Sequence, residues 1–185
     1  MLEKLKSFIR NRLPQLLVFT VIYAFFLYYF KPSLLFLDTT ISGGDTGSHN
    51  YIVYYLKDIF PSIHGWSHDW YAGFPFLYFY PPLLYGVAVV LSYILPINIA
   101  FKIVTAIGSF ILPLSCFLCF KILDFKKPLP EVAALLSLSF LFLESYNIYG
   151  GNIPSTLAGE FSYSFSFSLF WLFIATLTKG VKENK

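Results

Sequence analysis

The sequence predicts an all-α fold, a polytopic membrane helical bundle, and three observations predict it. Only 12% of the 185 residues are charged, against about 25% in soluble domains. Four apolar runs reach spanning length, and two of them, Leu13–Phe30 and Phe161–Thr178, are 18 residues without a charge; about 20 such residues cross a bilayer as a helix. The charges that remain are clustered. Lys4, Lys6, Arg10 and Arg12, then Lys121, Lys126 and Lys127, then Lys179, Lys182 and Lys185 make up 10 of the 13 basic residues. A soluble core would need four helices greasy on every face, which small soluble domains do not have. No basic face suited to nucleic acid is present, so nucleic acid is excluded as a partner and the lipid bilayer is expected instead.

The elements follow in order. Span one covers 13–30, with Pro14 expected in its first turn, where a missing N–H costs nothing. It is longer than a secretory signal core and lacks a small-x-small cleavage site, so it is read as an uncleaved anchor. A long outer loop, 31–97, follows. Within it, 46–60 carries Ile52, Tyr55, Leu56, Ile59 and Phe60 on one helical stripe and stops at Pro61. That stripe is expected to lie in lipid at the membrane surface. The aromatic stretch HGWSHDWYAGFPFLYFYPP suits the headgroup level. The apolar segment 81–95 is short for a span, and a crossing there would divide the basic clusters between the two sides. It is therefore read as a re-entrant or surface helix on the outside. Further spans are expected at 98–120, kinked at Pro113, at 131–149, begun by Pro130, and at 161–178. A second outer loop lies at about 148–160. In span four, FSYSFSFS pairs Ser162 with Ser166 and Ser164 with Ser168, which lets another helix approach or bond across. The whole chain, 1–185, is expected to be a single membrane domain with both termini cytoplasmic.

The polar chemistry is sorted to the outer segments. Six of the ten acids fall in or beside them, Asp38, Asp45, Asp58, Asp69, Glu144 and Glu160, with all three histidines, His49, His64 and His68. Asp45, in GGDTGSH, is both a good N-cap and a candidate base or metal ligand at a membrane surface. His49 lies one helical turn on, on the same face. Glu160 sits at the mouth of span four, where a carboxylate bordering hydrocarbon is costly and reads as functional. Asn152 and Glu144 flank it. Asp-Thr-Gly also occurs in aspartic proteases, but that chemistry takes two such aspartates and the chain has one. His64 and His68 lack enough companions for a zinc site. Trp66, Trp70, Tyr71, Phe74 and Phe76 fit either the membrane interface or stacking on a sugar. Cys116 and Cys119 lie inside an apolar run and read as buried thiols. No phosphate-binding loop, nucleophile elbow or dinucleotide fingerprint is present.

GGDTGSH, DWYAGFPFLYFYPPLLY and GGNIPSTLAGEFSYS together resemble the N-terminal part of the GT-C class of membrane glycosyltransferases, above all the oligosaccharyltransferase subunits of bacteria and archaea. They are similar too to the membrane family labelled "6-pyruvoyl-tetrahydropterin synthase-related", a label that carries no pterin chemistry here, since the His-x-His pair of those enzymes is missing. The resemblance covers nearly the whole chain but only the front of such an enzyme. It implies a bacterial or archaeal cytoplasmic membrane and an inverting transfer from a polyprenyl-phosphate sugar at the extracytoplasmic face. Asp45 and Glu160 would be catalytic and would hold a divalent cation, Mn²⁺ or Mg²⁺. His49, Asp69, Trp70 and Asn152 would bind substrate. Further membrane helices, from a partner or a missing C-terminal part, would complete the enzyme. The alternative expectation is a non-catalytic scaffold or accessory subunit that binds glycolipid or partner helices. A transporter is the weaker third, because the span centres hold no charge.

Overall fold

The computed structural model describes residues 2–145 and 148–183, with side chains from Arg12 onward. Within these the chain is mostly helical. Helix α1 runs Leu2–Phe30, α2 Pro32–Leu35, α3 Thr46–Ile59, α4 Leu83–Leu91, α5 Ile97–Ile122, α6 Leu129–Leu141, α7 Ile153–Ser155 and α8 Phe161–Lys182. A π-helical turn, Thr156–Glu160, joins α7 to α8, and Gly159 breaks the helix there at φ 128°. One short antiparallel hairpin, β1 Gly65–Ser67 and β2 Phe74–Phe76, pairs Trp66 with Pro75. Three helices are long and apolar enough to cross a membrane: α1 over Arg12–Phe30, α5, and α8 with its π-helical lead from Ile153.

Helix α5 is the axis. Its 26 residues extend about 39 Å at about 1.5 Å per residue. Along one side it meets α8 at Gly108, where a Cβ would sit 2.7 Å from the Phe165 backbone nitrogen. Only a residue without a side chain lets the backbones come so close. Ser168 Oγ then donates to Gly108 O at 2.7 Å, so the serines of span four do bond across to a neighbouring helix. On the other side, α6 packs through Ala133 and Ala134.

The direction of each helix follows from its contacts. Phe19 meets Phe117 and Phe30 meets Phe110, so α1 is antiparallel to α5. Lys102 Nζ, near the start of α5, donates to Leu34 O, Leu37 O and Thr39 Oγ1 at 3.1, 2.7 and 2.8 Å. The chain from 31 to 96 therefore leaves and returns at one end of the bundle. At the other end Lys179 reaches Asp124 at 3.2 Å, and Arg12 lies near Phe117. The basic clusters around Arg12, Lys121 and Lys179 thus share one end, and Asp45, His49 and Glu160 share the opposite one.

Four features differ from the reading of the sequence. Helix α1 starts at Leu2, so Pro14 lies well inside it and removes an intrahelical bond there; the basic stretch before it is itself helical. Helix α6 ends at Leu141 instead of running to 149. Its 13 residues cover only about 20 Å, and further along the chain Gly150 and Gly151 take positive φ. Tyr146 and Asn147, inside that expected span, lie outside the described residues. Finally, the α3 stripe does not face lipid. Ile52 and Leu56 are buried against Leu84, Tyr85, Ala88 and Val89 of α4, because α4 and the hairpin cover the face that looked unpartnered in one dimension. The hairpin itself was not expected. Asp69 and Gly73 at its loop have no counterpart in helix periodicity, and Gly73 is packed so closely under Trp66 that a Cβ would lie 2.1 Å from the indole nitrogen.

Two cores result. One, at the acidic end, gathers α3, α4, the hairpin, Phe101 and Val104 of α5, and Phe161. The other joins α1, α5, α6 and Ile153 through Ile22, Phe26, Leu112 and Leu141.

Candidate functional site

The acidic end is built by two chain segments that lock together. Gly43 and Gly44 take positive φ and turn the chain into α3. Thr46 Oγ1 closes that turn on Gly43 O. Asp45 is the N-cap of α3, yet its carboxylate makes no capping bond. It is the backbone that is engaged: Asp45 N–H donates to Ala158 O at 2.7 Å. Gly44 makes this approach possible, since a Cβ there would fall 2.1 Å from that same oxygen. From the other side Gly159 does the same work. A Cβ on it would lie 3.0 Å from His49 Nε2 and 3.1 Å from Asp45 Cβ. The next residue is Glu160, and both it and Asp45 act electrostatically on Tyr80.

His49 stands behind them, 7% exposed. Its Nδ1 and the Tyr85 hydroxyl are 2.6 Å apart, and Phe161 closes edge-on at 5.3 Å between ring centroids. Burial lowers the pKa of His49, against a weaker upward pull from Asp45. The imidazole is therefore neutral at pH 7. Tyr85 is fully buried, its ring centroid 5.9 Å from that of Tyr80. Burial first, then neighbouring groups that include Glu160, holds both phenols above their ordinary pKa. Tyr80 feels Asp45 as well. The His49 ring thus packs among those of Tyr80, Tyr85 and Phe161.

The other residues expected in the site have partners of their own. Asp69 accepts from Tyr51 OH at 2.8 Å, while Ser67 Oγ meets the same hydroxyl at 2.6 Å; together they pin the hairpin to α3. Asn152 caps α7, its Oδ1 accepting from Ser155 N–H at 3.0 Å and its Nδ2 donating to Leu143 O at 2.7 Å. Both ends of that amide hold the backbone before α8. Trp70 lines a cavity of about 290 Å³ between α3 and the hairpin, with Ser48, Phe74, Phe79 and Tyr80 on its walls. His64 stacks on Tyr78 at 4.4 Å.

Tyr80 and Tyr85 were missed. Both fall in a stretch, YPPLLY, that reads as lipid-facing. The available signal was two phenols five apart in a run otherwise without polar side chains. Among the described residues no three His, Cys, Asp or Glu side chains gather as a metal site. Comparison with family models, curated proteins and solved structures finds no match to the chain.

Proposed function

We propose that the chain is the N-terminal module of a GT-C-like membrane glycosyltransferase. On this reading it takes sugar from a lipid-phosphate donor at the extracytoplasmic face. One observation carries the proposal: the backbone bond from Asp45 to Ala158 joins the start of α3 to the turn that leads into Glu160, beside the buried His49. Site chemistry of this kind at the end of an apolar bundle suits a donor whose tail stays in lipid while its head meets water. The shared end of the basic clusters supports a topology with both termini cytoplasmic. On that topology α6 and the segment after it make a fourth crossing.

In the reaction Asp45 and Glu160 would position the donor and offset charge, and His49 would accept a proton from the acceptor. A divalent cation, if the enzyme uses one, would be held by Asp45 and Glu160 and would neutralise charge on the donor phosphate. The test is binding of a polyprenyl-phosphate sugar, with and without Mn²⁺ or Mg²⁺, to the chain in lipid nanodiscs. Wild type should bind and Asp45→Ala should lose at least tenfold, the scale of one lost charge-assisted contact. Equal binding by the variant would sink the assignment.

A second reading is a non-catalytic accessory subunit. The small number of converging ligands favours it. It predicts that the chain binds glycolipid with no dependence on Asp45.

A further inference from the structure

Between Asp69 and Lys102 the chain carries no charged side chain. Helix α4 sits in the middle of this stretch and has two unlike faces. Leu84, Tyr85, Ala88 and Val89 are buried in the core shared with α3 and α5. Leu83, Gly86, Val87 and Val90, with Phe60 and Ile63, line an open groove of about 510 Å³ in which no wall residue is polar. Leu83 is 62% exposed, Val90 54% and Ile94 84%.

The direction of α4 places this face. Phe161 stands edge-on to Tyr85 at 5.5 Å and to Phe101 at 5.4 Å between ring centroids, and only residues 92–96 separate α4 from α5. The two helices are therefore antiparallel. Helix α5 enters the bundle at Ile97, so the Leu83 end of α4 lies deeper than its Leu91 end. The nine residues of α4 cover about 14 Å, half of the roughly 30 Å hydrocarbon core.

We infer that α4 is the inserted leg of a re-entrant hairpin in the outer leaflet, and that the groove on its outer face seats an acyl chain of a bilayer lipid. The inference goes beyond the transferase reading and stands whether or not the chain moves sugar. Its backbone suits hydrocarbon, where every donor must be satisfied within the protein. Pro81 and Pro82 precede the deep end and have no N–H to leave unpaired, and Gly86 N–H donates to Pro82 O at 2.9 Å. After the helix, Ser92 N–H donates to Ala88 O at 2.9 Å, Tyr93 N–H to Val90 O at 3.3 Å, and the N–H groups of Ile94 and Leu95 to Leu91 O at 3.0 Å. Polar pairs mark the shallow end. Lys57 Nζ lies 5.8 Å from the centre of the Tyr93 ring, and Asn98 Nδ2 donates to Asp38 Oδ1 at 2.9 Å. A cation and a phenol at that level suit the headgroup region. The groove also lies beside α5, one of the three helices of spanning length, so the lipid around α5 continues onto α4.

The test uses the full chain in lipid nanodiscs, with Cys116 and Cys119 replaced by alanine. Single cysteines at Leu83, Val87 and Ile94 carry a nitroxide, and power saturation compares its contact with oxygen and with a soluble nickel chelate. Oxygen should dominate at Leu83 and Val87, and the depth should decrease from Leu83 to Ile94. Nickel dominating at Leu83 and Val87 overturns the inference, and equal depth at Leu83 and Ile94 overturns the hairpin. Spin–spin broadening that unlabelled chain dilutes away would put a second copy in the groove and overturn the lipid seat. A phosphatidylcholine with a diazirine in its acyl chain then reads the groove itself. Light should attach it to Ile63 and Val87, and to Leu16 and Val21 on the exposed face of α1. A Cβ on Gly86 would meet nothing within 4 Å, so Gly86→Leu fills the groove without displacing backbone. In that variant the adducts at Ile63 and Val87 should fall by more than half while those on α1 persist. Undiminished adducts at Ile63 and Val87 overturn the groove as the seat. Donor binding in the same discs reports on the transferase reading alone.

Discussion

At the scale of single residues, Gly159 sets the site as firmly as the acids do. It has φ 128°, and the space its side chain would fill is taken by His49 and Asp45. Gly159→Ala is expected to cost about 1–3 kcal/mol in backbone strain and to shift Asp45 and His49 while leaving every functional group in the chain. A fall in donor binding with no loss of Asp45 or Glu160 would mark this, read in the same discs beside a melting curve. Tyr85→Phe keeps the ring but leaves His49 Nδ1 buried without its partner, a loss of about 1–3 kcal/mol. His49 also gives the site a pH dependence with a definite sign. Its folded pKa lies below the ordinary 6.5 because burial disfavours the cation. The unfolded chain therefore binds more protons as pH falls below about 6.5, and the stability present above that value is lost downward toward the folded pKa. Thermal unfolding measured from pH 7.5 to 4.5 should show Tm falling in that window. In His49→Gln the fall should be smaller, and an unchanged profile would mean His49 is not the group responsible.

At the scale of elements, the contact of α5 with α8 decides where the lead of α8 sits. Gly108 and Ser168 make it, and Ser164 extends it by bonding to Thr156 Oγ1 at 2.5 Å and accepting from Gly151 N–H at 3.1 Å. Gly108→Val inserts a branched side chain where backbone already stands. It should cost more than the roughly 1–3 kcal/mol typical of overpacking and should disturb Glu160 half a bundle away. Ser168→Ala removes only one bond, worth about 0.6 kcal/mol between helices in a membrane. A larger penalty for serine than for glycine, compared by unfolding in detergent, would contradict this ranking. Much of this layer was legible in the sequence. The uncharged runs marked α1 and α8, the stripe marked α3, and the spacing of the serines marked the bonding face. What stayed hidden was tertiary. No periodicity says that α4 covers the α3 stripe, or that α6 stops at Leu141.

At the scale of the whole molecule, charge is sorted to one end and site chemistry to the other. Asp45 and Glu160 could be picked out as acids because charge is rare in so apolar a chain. That Asp45 packs against the turn before Glu160 depends on Gly44 and Gly159, whose close approaches exist only in three dimensions. Asp69 and Asn152 looked equally eligible and turned out to hold a hairpin and a helix start. Single cysteines at Tyr71 and Lys126 in cysteine-free chain should label from opposite sides of a sealed vesicle, since the two residues lie toward opposite ends of the bundle. Labelling from the same side would contradict a bundle that spans the bilayer. The bond from Asp45 to Ala158 also has a meaning in time. Synthesis runs from the N-terminus, so a ribosome that has made Asp45 has more than a hundred residues still to add before the carbonyl that receives it exists. A nascent chain halted within α6 carries Asp45 without the carbonyl that receives it, so this contact closes only after the segment leading into α8 has been made.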